Sequence, residues 1–117
     1  IQEGVKTVED NVFENVTINR LILPSTIETI GNSSFENASM NELDMSKANK
    51  LSSIGPNCFN QNSFAKLDFS TPTPTLLTFG NLSFANNSNL IDVSFDDISE
   101  NATLNTSGIT SVFYNTP

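Results

Sequence analysis

One unit of sequence recurs four times along this chain of 117 residues. Each copy has two apolar residues three positions apart, a Phe five positions after the second of them, and then an apolar strand pattern. The copies begin at Val5, Ile27, Leu51 and Leu76. A repeat of roughly 20–50 residues is typical of solenoids, because one such unit cannot bury its apolar edge until neighbouring units stack against it.

In two columns of the repeat, the spacing between successive members increases in step along the chain. The Phe column is spaced by 22, 24 and 25 residues, and the column of strand centres by 22, 24 and 26. The extra residues therefore belong to loops rather than to a misalignment. The columns are Phe13, Phe35, Phe59 and Phe84 for the aromatic position, and Leu21, Leu43, Leu67 and Val93 for the strand centre. Once the units stack, these columns should form one continuous core, in which Phe35 and Phe59 are buried and touch the Phe of the adjoining coil.

A fifth unit is expected near the end of the chain. The alternation of Ile109, Val112 and Tyr114 predicts a fifth strand there, and the stretch before it, with Ile98 and Leu104, is interpreted as a degenerate repeat. A Gly follows the second apolar residue in three of the four clear copies, at positions 31, 55 and 80. A recurring Gly predicts a turn that needs positive φ.

The combined pattern LxxLxLPxxIxxIGxxxFxN, best seen from Leu21 to Phe35, resembles the BspA-like (Treponema-type) class of leucine-rich repeats. The resemblance covers essentially the whole chain, although Pro24 has no counterpart in the later copies. It implies a right-handed leucine-rich-repeat solenoid with a short parallel sheet from the apolar strand patterns. A second, irregular strand is expected at the Ile-x-x-Ile-Gly segments, and short helical or 3₁₀ turns at the Phe positions. We expect residues 1–117 to form a single domain of about five repeats, as a fragment of a longer protein, because neither end has a polar cap.

Composition narrows the classes of partner and of chemistry. With 5 basic and 13 acidic residues the net charge is −8, which argues against nucleic acid as a partner, since phosphate binding needs clusters of Lys and Arg. A hydrophobic content of 37% suits a thin solenoid, and no apolar run is long enough for this segment to insert into a membrane.

The sequence also argues against an enzyme. It contains no His to serve as a base and a single cysteine, Cys58, which sits at a small position of the repeat and cannot form an intrachain disulfide. Asp92, Asp96, Asp97 and Glu100 lack the spacing of a calcium loop and are interpreted as a solvated acidic segment. We therefore predict no catalytic residues, no cofactor and no metal.

Seven Asn-x-Ser/Thr triplets are glycan acceptors if the protein passes through a eukaryotic secretory pathway. Their asparagines are Asn15, Asn32, Asn37, Asn81, Asn86, Asn101 and Asn105. Three of them, Asn15, Asn37 and Asn86, share one register two positions after the Phe. A turn that favours Asn through a bond from its side chain to the backbone explains that register without sugar, and we favour this interpretation.

Alternation about the strand centres defines an outward face of the predicted sheet. One column of that face contains Arg20, Glu42, Lys66 and Asp92, whose charges alternate in sign. Ile22 and Phe113 are apolar at positions where polar residues are expected. They are either candidate anchors for a partner or residues near the chain ends that flanking repeats cover in a longer protein, and the sequence favours neither interpretation. The predicted partner-binding surface contains Arg20, Ile22, Glu42, Asp44, Lys66, Asp68, Asp92 and Phe113.

Two loop insertions, at residues 70–75 and 96–103, follow a strand and leave the same edge of the solenoid. They indicate either a binding edge, where insertions often occur, or neutral drift in loop length, and the sequence favours neither. The favoured function is a non-enzymatic recognition module of a cell-surface or secreted, adhesin-like protein that binds a protein or glycoconjugate ligand of host or matrix. The alternatives are an intracellular or periplasmic scaffold and a repeat appendage of a larger enzyme.

Overall fold

The computed structural model describes residues 1–69, 78–95 and 112–116, which form a parallel β-solenoid, as predicted. Its strands are short, as expected for units that bury only one edge. In chain order they are β1 (Thr7–Val8), β2 (Arg20–Ile22), β3 (Thr29–Ile30), β4 (Glu42–Asp44), β5 (Ser53–Ile54), β6 (Lys66–Phe69), β7 (Thr78–Phe79) and β8 (Asp92–Phe95). The predicted insertions at 70–75 and 96–103, the degenerate repeat and Ile109 lie outside the described residues.

The apolar pair of each repeat forms one side of the solenoid. Strands β1, β3, β5 and β7 make a parallel sheet in that order, and each pairs with the equivalent residues of the next coil. The second apolar residue of each pair points into the core, where all four are buried. These residues are Val8, Ile30, Ile54 and Phe79. The predicted second strand of the repeat is thus confirmed.

The strand centres form the opposite wall. Leu21 pairs in parallel with Leu43, and Leu67 with Val93, which confirms the predicted register. The sequence predicts one continuous sheet here, but the described strands form two separate pairs, β2 with β4 and β6 with β8. Strands β4 and β6 still contact each other across the junction.

The Phe column is a continuous stack of rings through the core, as predicted. Phe59 lies between Phe35 and Phe84, with ring centroids 5.3 and 5.1 Å apart and planes inclined by 2° and 13°. Phe13 stacks on Phe35 at 5.2 Å. Phe35, Phe59 and Phe84 are fully buried.

The prediction that Phe113 points outward from a fifth strand is wrong. Phe113 stacks on Phe84 at 5.9 Å, which makes it the fifth member of the Phe column, and Val112 and Tyr114 lie in its turn. Phe84 N–H donates to the Val112 carbonyl, the same bond that Phe13 donates to Ser34. The alternation of apolar residues favoured a strand, whereas the Phe-x-Asn signature of residues 113–115 was the signal for a turn.

The turns around Phe13, Phe35, Phe59 and Phe84 are hydrogen-bonded turns and not the expected helical or 3₁₀ segments. Residues two before and two after each Phe have φ between 53° and 61°. A right-handed helix cannot continue through a residue with positive φ, so each turn is limited to a few residues. The residues with positive φ are Asn11, Asn15, Ser33, Asn37, Asn57, Gln61, Leu82 and Asn86.

The recurring glycines have a different cause from the one predicted. Only Gly4 among the described glycines has positive φ. A Cβ built on Gly55 would lie 2.7 Å from the carbonyl carbon of Gly31, and one on Gly31 would lie 2.8 Å from the Asp10 amide nitrogen. Gly80 is crowded in the same way by the backbone of Pro56. Successive coils therefore approach backbone to backbone at this column, and only Gly leaves room.

We expect Gly55→Ala to lower the free energy of unfolding by about 1–3 kcal/mol, the usual range for overpacking. The new methyl group would meet backbone atoms of Gly31 and Asn32, which cannot rotate away as a side chain can. Urea denaturation followed by circular dichroism measures the change. Asn49→Ala, at an exposed position, is the control and should change stability by less than about 0.5 kcal/mol. Equal midpoints for the two variants would contradict the packing explanation.

Candidate interaction surface

The outward side chains of β2, β4, β6 and β8 form a surface that we call the strand face. Because the strand centres point into the core, the residues on either side of them point out. Arg20, Glu42, Lys66 and Asp92 are exposed, Asp44 and Asp68 are half-buried, and the Ile22 side chain is 40% exposed. The structure thus brings together seven of the eight predicted surface residues, and Phe113 lies elsewhere.

Arg20 connects the first two strands of this face. Its guanidinium forms an ion pair with Glu42, its register partner, and lies 3.7 Å from the carboxylate of Asp44. This confirms the expected contact between Arg20 and Glu42. Both side chains remain more than half exposed, and ion pairs of this kind contribute only roughly 0.2–1 kcal/mol. The pair therefore orients the face more than it stabilises the fold.

Asp44 is held in place at the end of β4. Its carboxylate accepts hydrogen bonds from the Ser46 hydroxyl at 2.6 Å and from the Ser46 amide at 2.9 Å. These bonds, with a smaller contribution from Arg20, lower the pKa of Asp44 below its usual value. Asp44 is therefore negatively charged at neutral pH. One of its carboxylate oxygens, Oδ1, already accepts both hydrogen bonds from Ser46.

Lys66 and Asp92 continue the column on the other pair of strands. They are register partners, so charges alternate in sign from Arg20 to Asp92 as predicted. In the part of the chain that the structure describes, no ion pair joins them. Both are exposed, and the Lys66 ammonium is open to a partner's carboxylate.

A shallow pocket of about 220 Å³ opens where β4 meets β6. Pockets for small ligands usually measure roughly 300–1,000 Å³ and enclose most of the ligand. This pocket fits one side chain of a partner better than a small-molecule substrate. Its lining residues are Arg20, Glu42, Leu43, Asp44, Met45, Ser46 and Asp68.

Cys58 is not a reactive thiol. It is fully buried next to Ser34, with its sulfur 3.3 Å from the Ser34 hydroxyl, and burial raises its pKa to about 12. The thiolate is the nucleophilic form, so Cys58 is inert at neutral pH. Among the described residues no group of three His, Cys, Asp or Glu could hold a metal ion. Asp96, Asp97 and Glu100 lie outside those residues.

The position two after the Phe holds Asn in all but one of the turns, where Gln61 takes its place, and this preference reflects turn geometry. Asn15, Asn37, Asn86 and Asn115 all have φ near 60°, a conformation that Asn tolerates better than most residues. Their side chains form bonds between coils, in two pairs, rather than the expected bonds to the backbone. The Asn37 amide donates to the Asn15 side-chain oxygen at 2.9 Å, and Asn115 donates to Asn86 at 3.0 Å. Asn101 and Asn105 are outside the described residues.

Two buried asparagines brace the coils, and the sequence analysis did not assign them this role. Asn87 donates to the carbonyls of Phe59, Phe84 and Ala85 and accepts from the Asn62 amide. Asn62 in turn accepts from the amides of Ala38 and Met40. The available signal was a polar residue at a repeat position that holds Val16 and Ala38 in the earlier copies.

A family model supports this architecture along the chain. The model for the BspA type leucine rich repeat region, in six copies, matches residues 1–116. The chain belongs to the BspA-type leucine-rich-repeat family. Comparison with curated proteins and with solved structures returned no match.

The family match indicates a protein-interaction repeat module. No helix among residues 1–69, 78–95 and 112–116 is both long and apolar enough to cross a bilayer.

Proposed function

We propose that this BspA-type repeat domain is a non-enzymatic recognition module of a cell-surface or secreted protein, and that it binds a protein or glycoconjugate ligand through the strand face. The observation that supports this proposal is the strand face itself. Within each of its two strand pairs the backbone is hydrogen-bonded between strands, and its outward side chains are the groups offered to a partner. They include an exposed apolar anchor, Ile22, and charged residues of both signs.

Because the strand face carries charges of both signs, it favours a specific contact with a complementary partner over nonspecific electrostatic attraction. Arg20 is already paired with Glu42, whereas Lys66 is exposed on the neighbouring pair of strands. A partner that places an apolar side chain on Ile22 and a carboxylate on Lys66 would satisfy both groups. Charged residues at the rim of such a contact mainly set specificity and the rate of association.

The test is the double substitution Ile22→Asp with Lys66→Glu in the protein that carries this domain. We expect at least a tenfold loss of attachment in a cell- or matrix-binding assay, because the anchor and the free cation are both removed. Both positions are exposed, so circular dichroism and the unfolding midpoint should stay close to those of the wild type.

The matched control is Asn49→Asp with Lys50→Glu. It changes the net charge by the same amount at exposed positions outside the strand face. Attachment should remain at the wild-type level in this control. Equal loss in both double variants would indicate a nonspecific charge effect, and no loss in the first would exclude the strand face as the recognition surface.

A further inference from the structure

The centre of the strand face combines a concave shape with an excess of negative charge. The pocket where β4 meets β6 is bordered by three acidic residues, Glu42, Asp44 and Asp68, and by one basic residue, Arg20. Arg20 is paired with Glu42 and lies 3.7 Å from Asp44, so one positive charge faces three negative ones. Like charges on adjacent strands destabilise a sheet, and a cation supplied by a partner would offset that cost.

This pocket lies in the middle of the solenoid. Strand β2 flanks β4 on one side, and β8 flanks β6 on the other. The outward exposure of Asp44 and Asp68 is therefore a property of the sheet face, because a further coil stacks beside the strands and not over their outward side chains. Strands β4 and β6 contact each other without joining one ladder, and the pocket opens at that discontinuity.

A positive charge stands next to the pocket on β6. Lys66 and Asp68 are two residues apart on one strand, so their side chains point to the same side, roughly 6.6 Å apart along the strand. An extended peptide has the same two-residue period, so alternate side chains of a partner match this spacing. The complementary charges are an acidic side chain over Lys66 and a basic one over Asp68 and its equivalent on β4, Asp44.

We propose that the strand face binds an extended segment of a partner protein in which one residue separates a basic residue from an acidic one. The basic side chain enters the pocket beside Asp44 and Asp68, and the acidic side chain meets Lys66. This assignment depends on the proposed function and specifies its ligand as a protein segment. The pocket volume of about 220 Å³ suits a single side chain, and Ser46 already holds the Asp44 carboxylate in place, so little side-chain freedom is lost on binding.

Two synthetic peptides of identical composition test the spacing. In acetyl-Thr-Arg-Thr-Glu-Thr-amide the charged residues are two positions apart, whereas in acetyl-Thr-Thr-Arg-Glu-Thr-amide they are adjacent and point to opposite sides of an extended chain. Each peptide is titrated at millimolar concentration into the isotope-labelled chain and followed by NMR. The first should shift the amide resonances of residues 42–46 and 66–69 and should bind about threefold more tightly than the second, or better.

The variant Asp44→Asn with Asp68→Asn removes two negative charges from the pocket at nearly constant side-chain size. The amide oxygen at position 44 can still accept the bonds from Ser46, and circular dichroism checks that the fold is kept. This variant should bind the first peptide about fivefold more weakly than the wild type. Glu9→Gln with Glu28→Gln is the matched control, because it removes the same charge at exposed positions outside the strand face, and it should bind like the wild type.

Equal affinity for the two peptides, or no shift at the amides of residues 42–46 and 66–69, would overturn the proposal. Undiminished binding by the Asp44→Asn, Asp68→Asn variant would do the same, since the basic side chain would then bind elsewhere. If attachment is lost in the Ile22→Asp, Lys66→Glu variant but neither peptide binds, the strand face remains the recognition surface and a ligand of this kind is excluded.

Discussion

Truncation of Phe59 to Ala is expected to lower the free energy of unfolding by about 3–5 kcal/mol, the usual range for a buried aromatic residue. Phe59 is fully buried, stacks between Phe35 and Phe84, and meets the edge of Phe64 at a centroid distance of 6.0 Å. Its removal leaves a cavity in the middle of the column that the paired strands on both walls prevent from closing. Since small domains are stable by roughly 5–15 kcal/mol, such a loss removes much of the total.

Urea denaturation followed by circular dichroism measures this loss, and Phe13→Ala is the matched control. Phe13 occupies the same column, but it is half-buried and, among the described residues, stacks on Phe35 alone. Its truncation should therefore cost clearly less than that of Phe59. A loss at Phe59 below that at Phe13 would show that the ring stack is not the centre of the core.

Asn87→Leu is expected to destabilise the domain by about 2–5 kcal/mol, although Leu has a similar volume and is more apolar. The substitution removes the side-chain partner of the Phe59 and Phe84 carbonyls and of the Asn62 amide in a buried position. The Ala85 carbonyl also loses a bond from Asn87 but still accepts one from the Gln61 amide. Each buried polar group without a partner costs about 1–3 kcal/mol, and the burial of the Leu side chain offsets part of that loss.

The same denaturation experiment tests Asn87, with Asn89→Leu as the control. Asn89 is exposed two residues further along, so its replacement should change the free energy of unfolding by less than about 0.5 kcal/mol. If Asn87→Leu left stability unchanged or raised it, the hydrogen bonds of the two buried asparagines would be dispensable. Position 87 would then be an ordinary apolar core position.

The repeat made much of the fold predictable. Columns that recur at nearly constant spacing identified Leu21, Leu43 and Leu67 as buried strand centres and Phe35 and Phe59 as stacked core rings. The same alternation correctly placed Arg20 beside Glu42. These assignments succeed because each depends only on the period of the repeat and on the preference of apolar side chains for the interior.

The errors occurred where two local signals competed. Around Phe113, apolar alternation predicted a strand, while the Phe-x-Asn pattern shared with residues 35–37 indicated a turn. The turn prevails because Phe113 completes a stack on Phe84. At the glycines, local reasoning invoked positive φ, but the cause is the backbone of the preceding coil, some 22–25 residues away in sequence.

By itself, the sequence determined that this chain is a BspA-type solenoid, which side of each strand faces the core, and which charges line the strand face. Only the tertiary structure decided why Gly31, Gly55 and Gly80 are required, that Asn62 and Asn87 are structural braces, and that Phe113 belongs to the aromatic column. The reason is physical: the repeat period specifies which residues of successive coils are neighbours. How closely those neighbours approach, and which buried polar groups need partners, depends on the packing of one coil against the next.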